Sequence, residues 1–325
     1  MEDKSDSVVI MAECLCKAHS FSPEVSKSKL PLECNVCHCD SCRHSTGALY
    51  VVETTWPQPL EDVDLSGLHK YQFSDNIAYR FCGTCSTLMF YESRKYPSKL
   101  GTFSGPLKNT DSETIRLARH IYVEDTIDGG ATVWLRKPNP DGQQIPRYLE
   151  RSGEELSWDW PQISSLTGST GKQEQAPIPL WCHCRDLSNV TQGDGDAFPK
   201  TMAKLKAAVD VADPLIGTLA YYQPTSGVQR YCCKVCSTSA FLASDDRSEA
   251  VGVPVGLLEA SDGSRAESFL SWGLGDTPIG VDDTKGGWRE EMIKRVLADA
   301  EKFRVARDYP RSWRRQFREA NAGSS

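Results

Sequence analysis

No stretch of this 325-residue chain approaches the ~20 apolar residues of a membrane span. The start, MEDKSDS, is acidic and polar, which predicts no secretory signal peptide and a cytoplasmic protein. Positive charge is in deficit: 37 Lys and Arg stand against 44 Asp and Glu, giving a net charge of −7. That balance argues against attraction of the whole chain to nucleic acid. The composition also excludes collagen, coiled coil and wholesale disorder. At 39% hydrophobic residues there is material for packed cores, and at ~150 residues per domain two are expected.

Cysteine is abundant. There are 13, an odd count, and they are clustered: Cys14, Cys16; Cys34, Cys37, Cys39, Cys42; Cys82, Cys85; Cys182, Cys184; Cys232, Cys233, Cys236. In a reducing compartment such groups read as metal ligands or nucleophiles rather than disulfides. Thiolate softness and the one- or two-residue gaps point to zinc.

The chain repeats itself. LHKYQFSDNIAYRFCGTCST from Leu68 aligns with LAYYQPTSGVQRYCCKVCST from Leu219 at a constant offset of 151 residues. Tyr71 then matches Tyr222, Cys82 matches Cys233, and Cys85 matches Cys236. Upstream, CLC at Cys14–Cys16 is echoed by CHC at Cys182–Cys184. This predicts tandem domains over 1–150 and 178–325, joined by a polar, Gly- and Ser-rich linker over 151–177. Trp158 and Trp160 are expected to pack back onto the first half.

Short β-branched and aromatic runs predict strands at Ser7–Met11, Leu49–Thr55, His69–Phe73, Ala78–Phe81, Thr87–Glu92, His120–Glu124 and Thr132–Leu135. The second half adds Leu219–Gln223, Ala240–Ala243, Val255–Glu259 and Ser268–Trp272, with a helix at Thr201–Val211. The fold class is therefore mainly β, as small antiparallel domains. From Trp288, residues Met292, Ile293, Val296, Leu297, Ala300 and Phe303 fall at helical spacing. This predicts a C-terminal helix ended or kinked at Pro310.

Cys14 and Cys16 with Cys82 and Cys85 supply four thiolates, the closed set of a structural zinc. Cys182 and Cys184 with Cys233 and Cys236 repeat it. The run CNVCHCDSCRHSTG offers Cys37, Cys39 and Cys42 to a third zinc. Two arrangements stay open. Three ligands leave a position for a substrate thiolate, carbonyl or water; Cys34, if it reaches the metal, closes the cage. His38 alternates with its cysteine neighbours and should point elsewhere. His44 reads as a group behind the ligands or a proton relay, or else as a surface histidine beside Arg43.

The order CLC, CHCDSCRHSTGALY, RFCGTCSTLMF, RHIYVED resembles the glutathione-dependent formaldehyde-activating family, which includes centromere protein V. The resemblance covers roughly residues 7 to 135, and the second half looks like a degenerate copy. It implies two tandem Mss4-like zinc-containing β domains. It implies a structural zinc at Cys14, Cys16, Cys82 and Cys85, and an activity-linked zinc at Cys37, Cys39 and Cys42. The implied reaction adds glutathione to formaldehyde, and its reverse is carbon–sulfur lyase chemistry. Two departures stand out. The family often has Gly after each cysteine pair, where this chain has Lys17, Ser86, Arg185 and Ser237. The second half also lacks the central C-H-C-x-x-C, with neither Cys nor His between Cys184 and Cys232.

Two functions remain. One is a zinc-dependent carbon–sulfur lyase or synthase, with up to three zincs, acting on an adduct of glutathione or a similar thiol with a small aldehyde. The other is a non-catalytic, zinc-stabilised binding or scaffold protein.

Overall fold

The computed structural model describes residues 6–157, 160, 178–187, 190–192, 199, 201–277, 281–312, 315–316 and 319–320. The first half is built from β1 (Ser7–Val9), β2 (Met11–Glu13), β3 (Ser20–Phe21), β4 (Glu24–Ser26), β5 (Leu32–Cys37), helix α1 (Asp40–Thr46), β6 (Val51–Pro59), β7 (His69–Gln72), β8 (Ile77–Phe81), β9 (Leu88–Ser93), β10 (Lys99–Phe103), β11 (Leu107–Lys108) and β12 (Ile115–Ile121). The rest comprises β13 (Ile178–Leu180), β14 (Val190–Gln192), α2 (Met202–Asp210), β15 (Leu219–Thr225), β16 (Val228–Cys233), β17 (Ser239–Ser244) and α3 (Trp288–Ala306). The protein is mainly β, with few helices and one at the C-terminus.

Seven strands form the main sheet in the order β12-β5-β6-β10-β9-β8-β7. The expected wholly antiparallel sheet is corrected at one edge, where β12 runs parallel to β5. A parallel neighbour needs a long crossover, here the chain from β6 to β11. Phe90, Leu100, Met89 and Trp56 are buried in the core that packs against the sheet strands.

The repeat is preserved down to register. Tyr71 pairs with Tyr79 in β7–β8, and Tyr222 with Arg230 in β15–β16, each shifted by 151 residues. Arg80 opposes Phe90 as Tyr231 opposes Phe241, and a register shift follows at Arg80/Phe81 and again at Tyr231/Cys232.

Several expected strands are corrected. In place of the strand expected at 132–135, a 3-10 turn over Gly130–Val133 takes in residues 132 and 133, because Gly129 and Gly130 both take positive φ (80° and 51°) and start a tight turn. The strand expected at His120–Glu124 lies earlier, at Ile115–Ile121, and Tyr122 with φ 55° ends it. Val255–Leu257 is a 3-10 turn after Pro254. Ser268–Trp272 is turn and coil; the Ser268 amide is held by the Asp262 carboxylate. Helix α2 matches its expectation, with Thr201 as the capping residue. Trp160 accepts a hydrogen bond from Arg147, whereas Trp158 lies outside the described residues.

Helix α3 ends at Ala306, before Pro310. Its buried residues Trp288, Met292 and Ala300 join the core of the first half. The chain therefore returns to its beginning. Arg265 locks the halves further: buried, it donates to the carbonyls of Asp128 and Gly130 and pairs with Glu267 at 2.8 Å.

Candidate metal centre at the junction of the two halves

Among the described residues three cysteine groups converge, each with its sulfurs within 4.8 Å of one another. They are Cys14, Cys16, Cys82 and Cys85; Cys182, Cys184, Cys233 and Cys236; and Cys37, Cys39 and Cys42. All 13 cysteines are free.

The four-cysteine groups are built alike. A loop pair and a pair at the end of the matching strand face each other, with Cys16 Sγ 3.5 Å from Cys82 Sγ and Cys184 Sγ 3.5 Å from Cys233 Sγ. Cys85 sits 3.2 Å from Thr87 Oγ1, and Cys236 sits 3.0 Å from Thr238 Oγ1. Lys17, Ser86, Arg185 and Ser237, each following a pair, adopt φ of 63°, 55°, 67° and 62°. Each closes a turn, its amide on the carbonyl of the pair's first cysteine, in the left-handed conformation that glycine takes at least cost. The departures from Gly thus lie at the positions where this chain carries side chains at a conformational cost.

The fit to a metal can be tested. Tetrahedral ligands at ~2.3 Å place sulfurs about 3.8 Å apart. The closest contacts in the three groups, at 3.4–3.5 Å, approach that spacing. Each group also divides its protons unevenly. In the third group, hydrogen bonds from Cys37 and then Cys42 push the Cys39 thiol down to about 3, while Cys37 and Cys42 are raised. In the first group, burial pushes Cys16 up to about 12. For Cys85 burial is outweighed by hydrogen bonds from Thr87, which bring it down to about 7. Such sets hold a thiolate ready at neutral pH.

The third group stands on β5 and α1. Cys39 caps α1, its sulfur accepting the Cys42 amide at 3.3 Å. Tyr79 Oη lies 3.8 Å from Cys42 Sγ. Cys34 does not join this group: three residues before Cys37 on the same strand, it faces the opposite side. It lies in the core, its thiol 3.7 Å from the Leu32 carbonyl, and burial pushes it up to about 12.

His38 turns away from the sulfurs, as its alternation predicts, and meets His120 at 2.9 Å. His44 is not a surface residue. It is 5% exposed, and its ring contacts the Trp181 carbonyl at 2.9 Å and Glu259 at 3.2 Å. Both partners belong to the second half. The His44 carbonyl also accepts the His183 amide and the Thr238 hydroxyl. Close packing makes this possible: a Cβ on Gly256 would meet the Ala48 carbonyl at 2.2 Å. His183, between two cysteines of its own group, stacks on Phe73 at 4.3 Å, and Phe73 stacks on Tyr79 at the same distance.

Residues 9–125 match the family model described as glutathione-dependent formaldehyde-activating enzyme. That span holds the first and third cysteine groups and stops before the second. No curated protein and no solved structure matches the chain. Spacing alone found all the cysteines brought together here. It missed Tyr79, Trp181 and Glu259, which reach the site through tertiary packing. The repeat alignment pointed to Tyr71 but not to its contact.

Proposed function

We propose that the chain is a zinc-dependent carbon–sulfur lyase or synthase acting on the adduct of glutathione, or a similar small thiol, with a small aldehyde. The separation of Cys34 from Cys37, Cys39 and Cys42 carries this reading, because three thiols leave a tetrahedral position free. Zinc bound there would favour a substrate thiolate or polarise an aldehyde oxygen. In synthesis the thiol adds across the carbonyl: a C–S bond forms, the S–H bond breaks and its proton ends on oxygen. The reverse breaks C–S and needs no oxidant. Cys39 supplies a ready thiolate, Tyr79 lines the sulfurs, and the His44–Glu259 contact fixes α1 against the second half. Holding both reactants in one place supplies much of the remaining acceleration.

Two further zincs would serve structure at the four-cysteine groups. The repeated meander supports tandem domains over 1–150 and 178–325, the second a degenerate copy without the activity-linked zinc. Thirteen free thiols suit a reducing, cytoplasmic setting.

Zinc content and turnover of Cys34→Ser and Cys39→Ser test the proposal, with ¹³C exchange spectroscopy of formaldehyde and glutathione as the assay. Cys34→Ser should keep its zinc and its turnover. Cys39→Ser should lose one zinc and all turnover while keeping its circular dichroism. Loss of zinc from Cys34→Ser would refute an open site. A scaffold role is favoured by one observation, the burial of the His44 face of α1 by the second half. Zinc-replete protein without turnover would move the conclusion there.

A further inference from the structure

A cleft of about 550 Å³ opens where the end of α1, the β10–β11 turn and the start of α3 meet. Small-molecule sites commonly have volumes of ~300–1,000 Å³. Leu49, Val51, Phe103 and Met292 give it an apolar lining, and Thr46 and Ser239 add hydroxyls. Arg289 is the one charged residue among those lining it.

The state of Arg289 is informative. One guanidinium nitrogen donates to the carbonyls of Ser104 and Gly105, which fixes the group at the cleft. Its other nitrogens make no hydrogen bond to protein and no carboxylate pairs with it among the described residues; its guanidinium lies 5.3 Å from the centre of the Trp288 ring. Burial alone acts on its pKa, lowering it. A half-buried cation without a counterion, its free edge open to the cleft, is stabilised by an anion that takes the place of water there. A planar guanidinium edge matches a carboxylate through two parallel hydrogen bonds. With a single cation, the cleft suits a single negative charge.

We propose that this cleft binds a small amphiphilic monocarboxylate, its carboxylate on the free edge of Arg289 and its apolar body against Leu49, Phe103 and Met292. Arg289 and Met292 belong to α3, outside the residues matched by the family model. The proposal does not depend on zinc or on turnover.

Calorimetric titration of the full-length protein with octanoate, and separately with octanol, tests it. Octanoate should bind at one saturable site, about ten-fold or more tighter than octanol, as expected for a charge-assisted pair. Arg289→Met should reduce octanoate to the level of octanol, and Arg289→Lys should keep part of the preference. Zinc content should stay unchanged in both. Equal octanoate affinity in wild type and Arg289→Met overturns the proposal, as does octanol binding as tightly as octanoate. So does the lack of saturable octanoate binding. If Arg289→Met does not fold, the octanoate–octanol comparison on wild type and Arg289→Lys decides.

Discussion

Tyr71 Oη lies 2.7 Å from His183 Nδ1, so a strand of the first half bonds the residue held between two cysteines of the second. The relationship is reciprocal. Tyr71 packs against the core of the second half, and its repeat partner Tyr222 packs against the core of the first. Tyr71 is pushed up by burial and then by the thiols of the second half's group; Tyr222 is raised by burial and then by the thiols of the first. Two matched strands thus exchange matched tyrosines, each lying by the other's cysteine group.

This exchange is measurable as a coupling. In metal-loaded protein, Tyr71→Phe and His183→Ala should each cost about 1 kcal/mol, and the double variant should fall short of their sum by a similar amount. Urea denaturation of the four proteins supplies the cycle. Additivity within about 0.3 kcal/mol would mean that the hydrogen bond contributes nothing.

Metal removal should act through folding. Elemental analysis should approach three zincs per chain. Cys82→Ser and Cys236→Ser should each lose one zinc and lower the melting temperature, since metal binding free energy at such sites is folding free energy. Chelator treatment of wild type should lower it further. A firmly bound count of one or none would end the zinc reading.

The parts of this structure that were legible in the sequence are those encoded locally or by repetition. The offset between Leu68 and Leu219 marked two stretches that fold as matching meanders, because a β-meander is specified by alternation and turns. The cysteine pairs were legible because a small metal ion demands close ligands. Residues 132–135 and 255–259 misled because a short apolar run fits a buried turn as well as a strand. The docking of α3 on the first core was not legible, since amphipathic spacing says that a face is buried but not against what. Nor did any pattern announce Arg265, whose partners Asp128 and Gly130 lie more than 130 residues away.

Arg265 predicts a large stability effect. Its side chain is fully buried, with Asp128 and Glu267 carboxylates at 3.7 and 2.8 Å, both mostly buried. Arg265→Met keeps much of the volume but strands the Glu267 carboxylate, whereas Asp128 keeps the Gly130 and Arg265 amides and the Ser264 hydroxyl. Removing one member of a buried charged group costs about 3–5 kcal/mol, so chemical denaturation should show a loss of that order. A loss below about 1 kcal/mol would mean that the guanidinium is not needed at this junction.

His120 should make stability depend on pH. It is completely buried, with one ring nitrogen 2.8 Å from the Leu135 carbonyl and the other 2.9 Å from His38. The carbonyl can only accept, so His120 Nε2 carries its proton and Nδ1 receives the proton of His38 Nε2. Burial lowers the His120 pKa to about 3, against the hydrogen bond to Leu135 and with help from Arg147 and Arg136. The unfolded chain therefore takes up a proton near pH ~6.5, which the folded chain refuses until about pH 3. The stability is fully present above the unfolded value. It falls as pH drops from there, by about 1.4 kcal/mol per unit. The thiol groups titrate over part of this range too, so the test is a difference. His120→Phe should be less stable than wild type at pH 7, and its stability should fall less steeply between pH 6 and 4, by about one proton's worth of slope. Zinc content measured alongside in both proteins separates metal release on acidification from the proton taken up by His120. Parallel stability–pH curves for the two would show that His120 is not held neutral by the fold.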